Sequence, residues 1–183
     1  MRKFAGLLVA AALIVPAGII AAAPGGAAAA KPTCTKLTGV ATFRPALPML
    51  GKATKVKPTI TIIGARLAGC TGGGVTGGTV KSTLKFGNAS NCSDLLGGKP
   101  TNTKGTVGVT WSNKKTSAAN VTLVGVTGNA TQQTVSGPIT TGLFKSSKIS
   151  ATTQFTPETG GCTKKDLSKV TFTLKKGAKL TVK

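Results

Sequence analysis

Thr106-Val-Gly-Val-Thr-Trp111 and Lys169-Val-Thr-Phe-Thr-Leu-Lys175 are the two stretches that decide the fold. In both, apolar side chains alternate with Thr, Gly or Lys, so that one face is apolar and the other is polar. A period of two is typical of a β-strand with one buried face, and the branched residues Val, Ile and Thr suit a pleated sheet. We therefore predict two strands, with Trp111 on the buried side of the first.

The same alternation recurs along the chain, with turn residues at intervals of about ten. It predicts an all-β fold of about eight to ten strands and no convincing amphipathic helix. The predicted strands are residues 37–43, 57–65, 78–86, 104–112, 117–126, 132–142, 147–156, 167–175 and 178–182. Hairpin turns are expected at Ser112-Asn-Lys-Lys115 and Lys145-Ser-Ser-Lys148. Consecutive hairpins imply an antiparallel meander, closed as a barrel or folded into a sandwich, and the pattern does not separate the two.

The N-terminus has the three parts of a secretory signal: a positive start, a long apolar run and an Ala-rich end. Ala28-x-Ala30 fits the small residues that signal peptidase requires, so cleavage is expected before Lys31, with a site after Ala23 as the alternative. A retained membrane anchor is the competing interpretation, and Pro and Gly within the run count against it. We predict residues 1–30 as a signal peptide and residues 31–183 as a single secreted all-β domain without a transmembrane segment.

Four cysteines follow the leader: Cys34, Cys70, Cys92 and Cys162. An even number in an exported chain predicts two disulfides, because the exterior is oxidising. A zinc site is disfavoured, because the chain has neither a C-x-x-C pair nor any histidine. Of the three pairings, we favour Cys70–Cys92, which closes a glycine-rich segment, and Cys34–Cys162, which ties the two ends of the domain.

The side chains available for catalysis are few. The absence of histidine excludes Ser-His-Asp and Cys-His catalysis. A hydrolase with paired carboxylates would need two of the three acidic residues, Asp94, Glu158 and Asp166, to converge. We expect ordinary roles instead, with Asp94 hydrogen-bonded to its own turn and Asp166 paired with Lys164 or Lys165. The sequence therefore favours a protein that is not an enzyme and that holds no cofactor or metal.

Positive charge is the strongest functional signal. The sequence has 24 Lys and Arg residues against three acidic residues, a net charge of +21. Without the leader, which holds two of these cations, 22 remain and the net charge is +19 over 153 residues. Such a surface attracts polyanions, and lysine suits non-specific attraction. The local pairs are the candidates for anion contact: Lys114, Lys115, Lys164, Lys165, Lys175 and Lys176. No aromatic residues interleave with them, which disfavours sequence-specific binding of nucleic acid.

Four short motifs and two single cysteines occur in a fixed order along the chain. They are C-T-K-L-T-G-V-A-T-F-R-P-A-L from Cys34, G-C-T-G-G-G-V-T-G-G from Gly69, then Cys92, W-S-N-K-K-T-S from Trp111 and G-P-I-T-T-G-L-F from Gly137, before Cys162. In this order the chain resembles a group of small exported actinobacterial proteins of unknown function, with four cysteines and a W-x-N-x-K-T-S turn. It departs from them in its excess of lysine and in Lys114, where glycine is expected. The resemblance implies a secreted β-protein and transfers no site.

Two functions are compatible with these observations. The first is a secreted, non-enzymatic basic β-domain that associates electrostatically with anionic cell-envelope material, such as polymers or lipid head groups. The alternative is a β-barrel that holds a small apolar ligand inside, or a structural secreted protein whose charge only keeps it soluble and protects its sheet edges. An internal cavity would favour the barrel that binds a ligand.

Overall fold

A computed structural model describes residues 30–126 and 128–183, so the predicted signal peptide lies outside the described residues apart from Ala30. The elements in chain order are β1 (Thr33–Leu47), β2 (Thr59–Thr71), β3 (Gly77–Lys85), α1 (Cys92–Leu96), β4 (Thr103–Trp111), β5 (Thr116–Val126), β6 (Asn129–Gly142), β7 (Lys148–Pro157), β8 (Leu167–Leu174) and β9 (Leu180–Val182). The all-β prediction is therefore confirmed, and each predicted strand has a counterpart.

The strands form a closed antiparallel barrel. Each strand from β1 to β7 pairs with the next in sequence, and β8 returns to pair with β1. The short strand β9 continues the line of β8, because it pairs with the beginning of β1 at Cys34↔Leu180 and with the beginning of β7 at Ile149↔Val182. The choice between barrel and sandwich, which the sequence left open, is settled as a barrel of eight strands with one extra strand.

The two ends of the barrel differ, and we name them after what closes them. At the Trp111 end, Trp111 is 2 % exposed, and its indole N–H donates to Ser117 Oγ over 2.8 Å. The Phe144 ring meets the indole edge-on, with centroids 5.5 Å apart. The predicted core position of Trp111 is confirmed, because the indole finds both an apolar pocket and an acceptor for its N–H.

The helix end is closed by three chain segments, residues 48–58, residues 86–102 with α1, and residues 158–166. Backbone hydrogen bonds join them: Cys92 N–H donates to Pro48 O over 2.9 Å, and Leu50 N–H donates to Cys162 O over 2.7 Å. The Asn91 side-chain amide donates to Lys52 O over 2.9 Å and its oxygen caps α1 by accepting from Asp94 N–H.

The cysteines form two disulfides, but the favoured pairing was wrong. Cys34 is joined to Cys70 and Cys92 to Cys162. Cys34 and Cys70 are direct partners across the β1–β2 ladder, so the register of two neighbouring strands determines their pairing. Cys92 is the first residue of α1, and its disulfide to Cys162 joins the helix to the β7–β8 loop at the helix end. Two disulfides indicate an oxidising environment.

One irregularity in the barrel wall matters below. Strand β2 has one more residue than either neighbour between Ile62 and Ala65. The bulge contains Gly64, whose φ of +74° is a conformation that favours glycine. The inward alternation therefore ends at Ile62 and resumes at Ala65, which leaves Ile63 on the outside. Within the described residues, no helix has the length and apolar character needed to cross a bilayer.

Candidate ligand-binding cavity

The interior of the barrel is not completely filled. A cavity of about 110 Å³ lies between the Trp111 end and the helix end. Its lining is largely aromatic and aliphatic, and includes Phe43, Phe86, Phe155, Phe172, Val109 and Val121. The volume is close to the roughly 150 Å³ of an apolar protein cavity that stays dry and binds benzene. The barrel therefore offers a preformed apolar chamber for one small molecule.

Small inward-facing residues leave this space open. Ala41 on β1 and Ala151 on β7 both line the cavity and are each 5 % exposed. A larger side chain at either position would extend into the cavity. On β1, Gly39 serves packing instead, because a Cβ there would lie 2.7 Å from Phe172 Cζ. The Phe172 ring thus lies against the backbone of β1, and the alanines define the empty volume.

Polar groups line the cavity at only a few positions. Ser82 Oγ donates to Thr106 O over 3.0 Å, and Thr153 Oγ1 donates to Gln133 O over 3.3 Å, so both hydroxyls have acceptors in the strands. Gln133 also lines the cavity, and in the described part of the chain its side-chain amide makes no hydrogen bond. Gln133 is half-buried and therefore offers a donor and an acceptor to a bound molecule at the edge of the chamber.

Helix α1 covers the cavity at the helix end. Leu95 is 4 % exposed and reaches the lining, and Leu96 packs against the core. The helix has only five residues, so its stability must come from its attachments. These are the Cys92–Cys162 disulfide, the Asn91 cap and the ion pairs of Asp94. Together they hold α1 in place over the chamber.

Asp94 is a buried carboxylate clamped by two lysines. Lys55 Nζ lies 2.8 Å from Oδ2 and Lys99 Nζ lies 2.9 Å from Oδ1. The Asp94 side chain is 7 % exposed, whereas both lysines reach solvent. Hydrogen bonds from Lys55 and then Lys99 lower the pKa of Asp94 to about 2, against the opposing effect of burial. Asp94 thus ties the residues before and after α1, while Asn91, and not the Asp94 side chain, caps the turn.

The other two acids also anchor loops at the helix end. Glu158 accepts from Lys165 Nζ over 2.8 Å and, through its other oxygen, from the N–H and hydroxyl of Ser168 and from Lys169 N–H. These bonds, that of Lys165 first, lower the pKa of Glu158 to about 2. The Asp166 prediction was wrong: its carboxylate accepts from Lys52 Nζ over 2.9 Å and from Met49 N–H, and the Lys52 bond lowers its pKa.

None of the three carboxylates shares a lysine partner with another. Asp94 binds two lysines, and Asp166 and Glu158 bind one each, so each acid joins separate chain segments. A general acid in a hydrolase needs a raised pKa, whereas all three have a lowered pKa. Within the described chain, no three His, Cys, Asp or Glu side chains form a group suited to a metal ion. The arrangement therefore counts against paired-carboxylate hydrolysis.

The predicted anion contacts lie in three separate places. Lys114 and Lys115 are in the β4–β5 hairpin at the Trp111 end, Lys164 and Lys165 are in the β7–β8 loop at the helix end, and Lys175 and Lys176 are in the β8–β9 turn. Lys165 is engaged by Glu158. The structure therefore does not bring the three pairs together into one site.

The alternation in the sequence predicts inward positions such as Val109 and Phe172, but not the cavity that these residues line. Inward-facing alanines within well-patterned strands were the available signal, since Ala41 and Ala151 occupy positions where Val, Ile or Phe would fill a barrel. Comparison with family models, with curated proteins and with solved structures finds no match for this chain. Any inference about its function therefore depends on its own residues.

Proposed function

We propose that this protein is a secreted, non-enzymatic β-barrel that binds one small apolar molecule inside the barrel. The single observation that carries the proposal is the chamber of about 110 Å³ lined by aromatic and aliphatic side chains. Preformed apolar cavities with a few placed polar groups are the usual form of small-molecule sites. The oxidised cysteines support a location outside the cytoplasm.

The dimensions limit the ligand. A compact molecule about as large as benzene fits, and a long acyl chain would require the barrel to expand. One polar group on the ligand would face Gln133, the lining residue whose amide is unpaired within the described chain. We therefore expect a compact aromatic or aliphatic ligand with at most one hydrogen-bonding group.

Titration by NMR tests this function. Benzene, indole and hexanol are added separately to protein with labelled methyl groups, and the Ala41 and Ala151 methyl signals are followed. We expect saturable shifts for at least one compound, at these methyls and not at the exposed methyl of Ala68. If all three compounds leave the interior methyl signals unchanged, the proposal fails. Larger shifts for indole than for benzene, reduced by Gln133→Leu, would support a polar contact at Gln133.

A second candidate function is electrostatic association with anionic cell-envelope material. The observation that favours it is the separation of charge in the fold, because all three acids lie at the helix end. The loops at the Trp111 end carry Lys114, Lys115 and Lys145 and no acid. Of the 22 cations in the described residues, four lysines are in ion pairs with these acids. The others can contact an external polyanion.

Retention on heparin tests the second function. Many lysine contacts should release many counterions, so elution is expected to depend steeply on salt. Contacts of this kind weaken over roughly 50 to 300 mM salt. If the retention of the protein on the column is the same throughout this range, the second function is contradicted. Binding of benzene and retention on heparin are independent measurements, so each function can fail alone.

A further inference from the structure

The β2 bulge places an apolar pair on the outer wall of the barrel. Ile63 is 78 % exposed and Val40, across on β1, is 48 % exposed. Ile63 has the largest exposure among the exposed large hydrophobic residues of the described chain. Removing the Ile63 side chain from water would be favourable, because it is large and apolar. In the barrel this side chain faces solvent and adds nothing to the core. An exposed apolar group presented by a bulge is a candidate contact for a partner.

Four cations surround this pair. On β2, Arg66 lies three residues after Ile63. On β1, Arg44 lies four residues after Val40. Lys81 on β3 lies opposite the bulge, since its neighbours Val80 and Ser82 pair with Ala65 and Ile62. Lys169 on β8 pairs with Thr42, next to Val40 in the outward row of β1. All four side chains are exposed, and strand spacing puts their backbones within about 13 Å of the apolar pair.

We name this surface the β1–β2 face: Val40, Ile63, Arg44, Arg66, Lys81 and Lys169. It contains both arginines that follow the leader, and none of its four cations pairs with an acid within the described residues. A shallow depression of about 250 Å³ extends along it, lined by Val40, Thr42, Arg44, Thr61 and Ile63. The depression places apolar side chains next to a guanidinium and two threonine hydroxyls.

Each part of this face matches a part of a phospholipid surface. Guanidinium groups bind phosphate through two parallel hydrogen bonds, which lysine does not offer. The two apolar side chains can enter the boundary between headgroups and acyl chains, where apolar burial adds to the attraction of cations for anionic lipid. A soluble acidic glycan or polymer would use the cations and would leave Ile63 in water. The combination of exposed apolar pair and surrounding cations therefore favours a lipid surface.

We propose that the β1–β2 face docks the protein on anionic phospholipid bilayers, with Ile63 and Val40 entering the headgroup region and the four cations contacting phosphates. The proposal rests on the second candidate function, association with anionic envelope material, and specifies its surface and partner. Docking on this face leaves both ends of the barrel free.

Sedimentation with vesicles tests the docking surface. The purified protein is mixed with vesicles of phosphatidylcholine alone, or with about one third phosphatidylglycerol, at several salt concentrations. We expect binding to the anionic vesicles only. Ile63→Ser should weaken that binding about tenfold, because the inserted side chain contributes apolar burial. The matched control Val124→Ser alters another exposed apolar residue, 56 % exposed on β5, and should bind as the original protein does.

The charged part of the face is tested by a second pair of variants. Arg44→Gln with Arg66→Gln removes two cations from the face, and Lys114→Gln with Lys115→Gln removes two from the distant hairpin. Each cation near an anionic membrane strengthens binding about fivefold, so the arginine variant should lose about 25-fold and the lysine variant much less. Equal losses for the two variants would overturn the proposal, as would equal binding by Ile63→Ser and Val124→Ser.

Heparin retention separates this proposal from the function on which it rests. If the protein elutes from heparin only at high salt but does not sediment with anionic vesicles, docking on lipid is overturned and association with polyanions stands. If it neither sediments nor is retained, both are overturned. Ile63→Ser should leave heparin retention unchanged, since its loss removes no charge.

Discussion

Filling the internal cavity should stabilise the barrel and abolish ligand binding at the same time. The empty volume of about 110 Å³ corresponds to a cost of roughly 2.6 kcal/mol at about 24 cal/mol per Å³. Ala151→Ile adds three carbon atoms toward this space, worth up to about 2.4 kcal/mol at roughly 0.8 kcal/mol for each buried methylene. The two estimates agree, so an increase of about 1–2 kcal/mol in the free energy of unfolding is expected after some loss to strain.

The assay combines urea unfolding, followed by circular dichroism, with the NMR titration of the small apolar compounds. Ala151→Val should give about half the stabilisation of Ala151→Ile and weaken binding, and Ala151→Ile should bind none of the compounds. Ala68→Ile is the matched control, because Ala68 is exposed on the outer face of β2 and the same atoms are added in solvent. If Ala151→Ile destabilises the barrel while ligand binding persists, the described chamber is not the site.

Three further predictions concern stability. Replacing Cys92 and Cys162 by Ser should lower the free energy of unfolding by about 4 kcal/mol, because the disulfide closes a loop across a separation of 70 residues; unchanged urea unfolding would contradict this. Lys114 has φ of +67° in the β4–β5 turn, a conformation that favours glycine. Lys114→Gly should therefore raise the free energy of unfolding by about 0.5–1 kcal/mol. Thermal melting measures this increase, and the control variant Lys115→Gly should show none. The fold lowers the pKa of Glu158 from 4.5 and that of Asp94 from 3.8, in each case to about 2. Between about pH 4 and pH 2 the unfolded chain therefore binds more protons than the folded one, and the free energy of unfolding should decrease as the pH falls. Glu158→Gln should flatten this dependence in urea titrations at pH 6, 4 and 2, and an equal slope in the variant would contradict it.

The strands were predictable because their information is local. The alternation in Thr106–Trp111 predicts which side chains face inward, and this prediction needs no other part of the chain. Trp111, on the predicted inner face, is buried. The hairpin at Ser112–Lys115 was predictable for the same reason, and in the structure Trp111 N–H donates to Lys115 O across it. Barrel closure was not predictable, because it depends on whether β8 reaches β1 and no local pattern records that distance.

The errors concern residues whose partners are remote. Cys34 meets Cys70 because β1 and β2 pair in a particular register. The position of the glycine-rich segment in the sequence gives no information about that register. Asp166 binds Lys52 instead of its sequence neighbours, because the loop before β8 lies against the segment after β1 at the helix end. The cavity likewise arises where Ala41 and Ala151 face a common interior, a relation that appears only once the strands are arranged in space.

The pairing of β9 with the first residues of β1 affects how the protein can fold. Thr33 meets Thr181, and Val182 N–H donates to Pro32 O over 3.0 Å, so the two extremities of the barrel sequence are held together. The two partners are far apart in the sequence, and pairing between such distant residues is slow because a long loop must close first. During refolding, the seam between β1 and β9 should therefore be among the last contacts to form, after β8 has already paired with β1.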